Sequence, residues 1–329
     1  MSKKILEVKD LKTRFITDLG TVYAVNGVSF DLYEGETLGV IGESGCGKSV
    51  SMLSIMRLLS EPPAKVSADY IKFKGKEIQN ASEKDMNKIR GSQVALVFQD
   101  PMTSLNPLLK VGFQIMEPFR NHMNMGKKEA RERACELLRL VGIPEARKRL
   151  DDYPHQFSGG MRQRAIIAMA LACNPSLLIA DEPTTALDVT IQAQIVDLVK
   201  RLRDQFGMAL IWITHNLSLA AGLADRINVM YSGYIIETGI VNNIYENALH
   251  PYTSALLQCI PSIEGKLGEP LKIIEGFSPE LHNLPNGCPF APRCEFVKDI
   301  CKQENPPLIE YESGHKAACW VEIKTGEIR

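Results

Sequence analysis

Charge of one sign is almost missing from this chain. Its 38 Lys and Arg face 39 Asp and Glu, a formal net charge of −1 over 329 residues. No global field draws it to nucleic acid or anionic lipid, and no nucleic-acid partner is expected. A long apolar run is missing too. The longest, Ala165–Cys173, falls far short of the roughly 20 residues that span a bilayer. The N-terminus, Met1-Ser2-Lys3-Lys4-Ile5-Leu6-Glu7-Val8, is basic but lacks the apolar stretch of a signal peptide. The expectation is a chain that stays in the cytoplasm and reaches a membrane only through a partner. Internal repeats and low-complexity tracts are absent as well. What remains is an ordinary globular composition, 45% hydrophobic and 23% charged, long enough for one large domain or two smaller ones.

Cysteine is sparse and then crowded. Cys46, Cys135, Cys173 and Cys259 are scattered, whereas Cys288, Cys294, Cys301 and Cys319 gather near the C-terminus. In a reducing compartment such a group suggests metal before disulfides. None of its spacings matches the ligand pairs of a common zinc finger, about two to four residues apart. Four thiolates in a proline-stiffened segment suit a [4Fe–4S] cluster. Zinc and no metal at all are the alternatives. His315, near Cys319, reads as a surface histidine or as a donor supporting the ligands.

Short strands are predicted at Ile5–Val8, Thr21–Val25 and Val28–Leu32 from alternation and β-branched residues. Thr37–Ile41, Leu177–Ala180 and Ala209–Thr214 are apolar without alternation, as in strands buried on both faces of a parallel sheet. Helices are predicted over Lys127–Val141, Gly160–Ala172 and Ile191–Gln205, the first ending at Gly142. Strands alternating with helices imply a doubly wound α/β fold. Beyond Tyr245 prolines recur (Pro251, Pro261, Pro270, Pro279, Pro285) and periodicity fades. The expected domains are therefore 1–245 and a loop-rich appendage, 246–329.

Six motifs carry the chemistry. Gly42-Glu43-Ser44-Gly45-Cys46-Gly47-Lys48-Ser49 lies between a strand and a helix. Its glycines let backbone N–H groups turn inward around an anion, and the helix N-terminus adds to the attraction. Lys48 suits β- and γ-phosphate, and the Ser49 hydroxyl suits Mg²⁺. Asp181 and Glu182 close a buried strand at the crevice where open α/β sheets bind ligands. Asp181 fits a Mg²⁺ partner, and Glu182 a base for the attacking water. Ser158-Gly159-Gly160 opens a helix and makes a second anion site. One nucleotide needs only one such site, so the second implies use by another subunit. Gln99 and His215 each follow an apolar strand candidate, placed to reach Mg²⁺ and water or the γ-phosphate. Alone, each reads as an ordinary loop residue.

In this order, with Leu187-Asp188 between Glu182 and His215, the motifs resemble the ATP-binding cassette family over about residues 5–240. The resemblance implies a fold with a parallel-sheet core, an antiparallel β subdomain and a helical subdomain at about 101–165. It makes Gly42–Ser49 the Walker A loop, Gln99 the Q-loop glutamine and Ser158–Gln163 the signature. Asp181 and Glu182 become the Walker B pair, Asp188 the D-loop aspartate and His215 the switch histidine. Family members dimerise head to tail, each ATP held between the Walker residues of one subunit and the signature of the other. By the same resemblance Lys48, Gln99, Glu182 and His215 are catalytic. Phe15, or alternatively Tyr23, stacks on adenine. Gly42, Ser44, Gly45, Cys46, Gly47, Lys48, Ser49, Gln99, Asp181, Asp188, Ser158, Gly159 and Gly160 bind nucleotide. Ser49, Gln99 and Asp181 hold Mg²⁺. Phe157 stands where leucine is commonest.

His250-Pro251-Tyr252-Thr253 and Cys288-Pro289-Phe290-Ala291-Pro292-Arg293-Cys294 resemble the C-terminal extension of oligopeptide and dipeptide importer ATPases. Some members of that group carry a [4Fe–4S] cluster, and nickel importers share parts of the extension. The implied protein is an ATPase at the cytoplasmic face of the inner membrane, powering peptide uptake. Its partners are a second ATPase subunit, two permease subunits and, indirectly, an extracytoplasmic peptide-binding protein. A nickel importer ATPase, a soluble cassette ATPase and an iron–sulfur redox protein are the rival readings.

Overall fold

The structure, a computed structural model, describes residues 3–100, 104–185, 187–260 and 273–329. Pro101, Pro261 and Pro270, and the first residues of the expected helical subdomain, lie outside them. The chain forms two compact units: Met1–Ile5, Leu32–Thr37 and Lys74–Ile213 in one, Leu6–Asp31, Leu38–Phe73 and Thr214–Arg329 in the other.

The second of these holds most of a long hairpin, β1 (Lys4–Thr17) and β2 (Gly20–Tyr33). The three short strands expected here fuse into two long ones. Gly27, at φ 80°, absorbs the irregularity that separates Thr21–Val25 from Val28–Leu32 in the sequence pattern. β4 (Ala64–Ser67) and β5 (Tyr70–Phe73) pair antiparallel with β1. The fully buried β3 (Thr37–Ile41) runs parallel to β10 (Arg226–Tyr231), with Ile227 opposite Gly39 and Val229 opposite Ile41. Then β11 (Tyr234–Ile240), β13 (His315–Ala317) and β12 (Ile309–Glu312) follow antiparallel, so the C-terminal segment extends the sheet. Tyr231, Tyr252, Ile227 and Val229 are the centre of its core.

In the other unit β7 (Val94–Val97), β8 (Leu177–Asp181) and β9 (Ala209–Thr214) are parallel neighbours. β8 is buried throughout, as its continuous apolar run requires. Helices Val111–Met123, Lys127–Leu140 and Gly159–Ala170 pack on one another. The second ends as expected: Gly142 adopts φ 78° just past the Val141 cap. Among the described residues no helix is long and apolar enough to cross a membrane.

Candidate functional site

In the hairpin-bearing unit, β3 delivers the chain into the Gly42–Gly47 turn and the helix Lys48–Ile55 leaves it. The turn is gripped from both sides. A Cβ on Gly42 would lie 2.2 Å from the Met230 carbonyl oxygen, and one on Gly47 2.3 Å from that of Ala24. No side chain caps the helix, since its first position is preceded by Gly47 at φ 99°. Its first N–H groups therefore face the turn, a setting that favours an anion. Lys48 is 95% buried, with 5% relative exposure, and its Nζ donates to the carbonyls of Gly42 and Glu43, both at 2.8 Å. Burial pushes the Cys46 thiol up, against the lowering pull of Lys48. His215 is exposed immediately after β9, where Thr214 Oγ1 accepts the Asn216 N–H at 3.0 Å. Phe15 is half-buried on β1 opposite Ala64, and Arg14 lies 5.0 Å over the Tyr23 ring.

In the other unit, Asp181 ends β8 with 7% exposure. Glu182 follows in the left-handed region, φ 44°, fixed by its N–H donating to the Ile213 carbonyl at 3.0 Å. A non-glycine residue held there carries strain of the kind found at functional sites. Its carboxylate accepts from Gln99 Nε2 at 3.1 Å and from Thr185 Oγ1 at 2.9 Å. Gln99 and Glu182, far apart in sequence, are thus brought together.

Ser158 caps the helix Gly159–Ala170, accepting the Met161 N–H at 3.3 Å. Phe157, the residue before it, is buried with 3% exposure, a setting that accepts an apolar side chain. A Cβ on Gly160 would lie 3.0 Å from Ile191, and one on Gly159 3.5 Å from Leu187. Asp188 caps the next helix, Val189–Phe206, by accepting the Ile191 N–H at 3.0 Å. The signature and the Leu187-Asp188 segment are therefore direct neighbours.

Cys288, Cys294, Cys301 and Cys319 line one small cavity, walled by Phe290, Phe296 and Trp320. All four are free thiols. Burial pushes Cys288 up to about 12 and Cys294 to about 11. Gly287 is required at the rim, since a Cβ there would lie 2.3 Å from the Cys301 carbonyl oxygen. Among the described residues no group of three or more His, Cys, Asp or Glu is arranged to hold a metal ion, which favours neither the cluster nor zinc. His315 is not a surface histidine. It is fully buried and its Nε2 lies 2.8 Å from Glu237 Oε1. That carboxylate also accepts the N–H groups of Leu249 at 2.7 Å and His250 at 2.9 Å.

Three contacts beside the turn leave no signal in the sequence. The Glu43 carboxylate accepts from Arg293 and Ser278, and the Glu43 N–H donates to the Tyr252 hydroxyl. Tyr252 and Arg293 sit inside motifs the sequence singled out, but their partner is 209 and 250 positions away. No local pattern reports a contact that distant.

The ABC transporter family matches residues 25–185, and the oligopeptide/dipeptide transporter C-terminal region matches 236–301. The chain is 49% identical to the oligopeptide transport ATP-binding protein OppD of Bacillus subtilis (strain 168), over 97% of this chain and 89% of that one. It is also 49% identical to the dipeptide transport ATP-binding protein DppD of the same organism, over 99% and 97%. Among solved structures, the ATP-binding cassette MJ0796, a dimer in a post-hydrolysis state bound to ADP and Pi, aligns with TM-score 0.64. It shares 28% identity over 72% of this chain and 98% of that one. The chain belongs to the ABC transporter family, among the ATP-binding proteins that carry the oligopeptide/dipeptide transporter C-terminal region.

Proposed function

We propose that this chain is the ATP-hydrolysing subunit of an importer of di- and oligopeptides, working at the cytoplasmic face of a membrane. One observation carries the reading: 49% identity to an oligopeptide transport ATP-binding protein over 97% of the chain, together with the match of residues 236–301 to the oligopeptide/dipeptide transporter C-terminal region. Lys48 and the turn N–H groups bind the β- and γ-phosphates. Ser49, Asp181 and Gln99 hold Mg²⁺, and Phe15 stacks on adenine. Glu182, paired with Gln99, orients and deprotonates the attacking water, while His215 contacts the γ-phosphate. Ser158, Gly159 and Gly160 close on the nucleotide of a second ATPase subunit, with Asp188 alongside. Preorganised charge lowers most of the barrier. Residues 1–245 form the ATPase domain and 246–329 its extension. The helical segment about 101–165 drives two permease subunits, which receive peptide from an extracytoplasmic binding protein.

The test is reconstitution with its permease and partner in vesicles. ATP-dependent uptake of a labelled dipeptide supports the reading. Uptake of Ni²⁺ in its place, or ATP turnover unaffected by the permease, overturns it.

We infer that the four cysteines, which line one small cavity, take a [4Fe–4S] cluster, the reading that their spacing in the sequence favours over zinc. A bare thiolate is costly in that apolar cavity, and an iron centre offsets the cost. Cys319 Sγ also accepts the Val321 N–H at 3.4 Å, a bond that ligand sulfurs commonly take. Cys288, Cys294, Cys301 and Cys319 would hold the cluster, which supplies a covalent clip and a one-electron centre. Iron and acid-labile sulfide near four each per anaerobically purified chain, lost in Cys319→Ser, is the expected result. Stoichiometric zinc, or no metal, refutes it.

A further inference from the structure

The peptide unit joining Gly42 and Glu43 is pinned at both ends. Its carbonyl accepts Lys48 Nζ at 2.8 Å, and its N–H donates to the Tyr252 hydroxyl at 3.0 Å. Lys48 belongs to the phosphate-binding turn, whereas Tyr252 belongs to the C-terminal extension. Tyr252 is fully buried and held in an aromatic cluster, 4.7 Å from the Tyr231 ring and 5.4 Å from that of Phe290.

The Glu43 side chain is held from the same direction. Arg293 Nη1 reaches both carboxylate oxygens, at 2.9 and 3.1 Å, and the Ser278 hydroxyl donates to one at 2.5 Å. Arg293 is itself fixed. Its Nε donates to the Glu275 carbonyl at 3.0 Å, its Nη2 to that of Ile274 at 3.2 Å, and its Nη1 to the Tyr231 hydroxyl at 3.3 Å. Its side chain is 6% exposed and that of Glu43 29%. A carboxylate on a turn built for a polyanion opposes the ligand unless a cation neutralises it and turns it aside. A partly desolvated, multiply bonded arginine does both.

We infer that Tyr252 and Arg293 are positioning residues for nucleotide. They set the Gly42–Glu43 peptide plane and cancel the Glu43 charge, so the extension is part of what gives the turn its affinity. The inference rests on the turn binding ATP.

The test is MgATP binding by titration calorimetry on the full chain, with folding followed by thermal melting. Arg293→Ala is expected to weaken binding by about tenfold, the scale of one charge-assisted contact. Adding Glu43→Gln to Arg293→Ala should recover most of that loss, because the unpaired charge is gone. A merely structural arginine predicts no such recovery. Tyr252→Phe, which removes one oxygen, should weaken binding about fivefold. In the assembled importer the losses should fall on KM for ATP and spare kcat. Unchanged affinity in Arg293→Ala, or a double variant no better than the single, overturns the inference. Should Arg293→Ala fail to fold, Tyr252→Phe decides, and affinity within about twofold of wild type overturns it. Wild-type protein that binds no MgATP would instead undo the ATP reading itself.

Discussion

The Glu182 carboxylate accepts a hydrogen bond from Gln99 Nε2 across 83 positions of sequence. The bond ties the end of β7 to the end of β8, so the base expected to activate water is held by the side chain expected to sense Mg²⁺. Glu182→Gln preserves the shape and the Thr185 contact but removes the base. ATP turnover in the assembled complex should fall by at least about a hundredfold, with MgATP affinity retained. A variant that still turns over near the wild-type rate would move the base elsewhere.

The turn glycines are not equivalent. Gly47→Ala would need φ 99° and would drive a methyl to 2.3 Å from the Ala24 carbonyl oxygen. Gly45, at φ 78°, has nothing within 4 Å of the added carbon. Gly45→Ala should therefore cost only the left-handed conformation, about 1–2 kcal/mol, and keep measurable MgATP binding. Gly47→Ala should lose binding by more than about tenfold, because the backbone must shift. Equal losses in the two variants would contradict the geometry.

Acid stability should depend on His250. Burial pulls it from 6.5 down to about 3, so it is neutral in the fold, and its Nδ1 accepts the Tyr252 N–H at 3.0 Å. The unfolded chain binds the extra proton between those values, so stability falls as pH drops below about 6.5. From pH 7 to pH 5 the loss is about 2 kcal/mol. His250→Asn keeps a capping acceptor without the titration. Urea denaturation at the two pH values should show a shallower fall for the variant, and parallel falls would refute the assignment.

Glu237 is the other buried anchor, with its oxygens shared among Leu249 N–H, His250 N–H and His315 Nε2. Glu237→Gln turns one acceptor into a donor facing another donor. The expected cost is about 1–3 kcal/mol, read as a lower urea midpoint with an unchanged slope. An unchanged midpoint would mean the amide finds partners the carboxylate lacked.

Most of the framework was legible because its signals are local. The buried strands Thr37–Ile41 and Ala209–Thr214 declared themselves by unbroken apolar runs, and Ser158 and Asp188 head helices as their residue types favour. The fused hairpin was less visible, since Asn26-Gly27 breaks the alternation in the middle of β2. The burial of His315 is not legible in the sequence, because it comes from β11 and Glu237, neither of which is near it in the chain. Glu43 left no trace at all. It is one of two non-glycine residues between Gly42 and Gly45, and only the fold supplies Arg293.

The strand β13 lies against β11, with Glu237 opposite Ala317 and Thr238 opposite Lys316. A gene fragment stopping at residue 245 would bare the edge of β11 and strand the Glu237 carboxylate without its His315, Leu249 and His250 donors. Such a fragment should aggregate through that open edge. Exchanging C-terminal tails between related subunits would require swapping β11 with the tail, because the seam between them is a hydrogen-bonded ladder and not a linker.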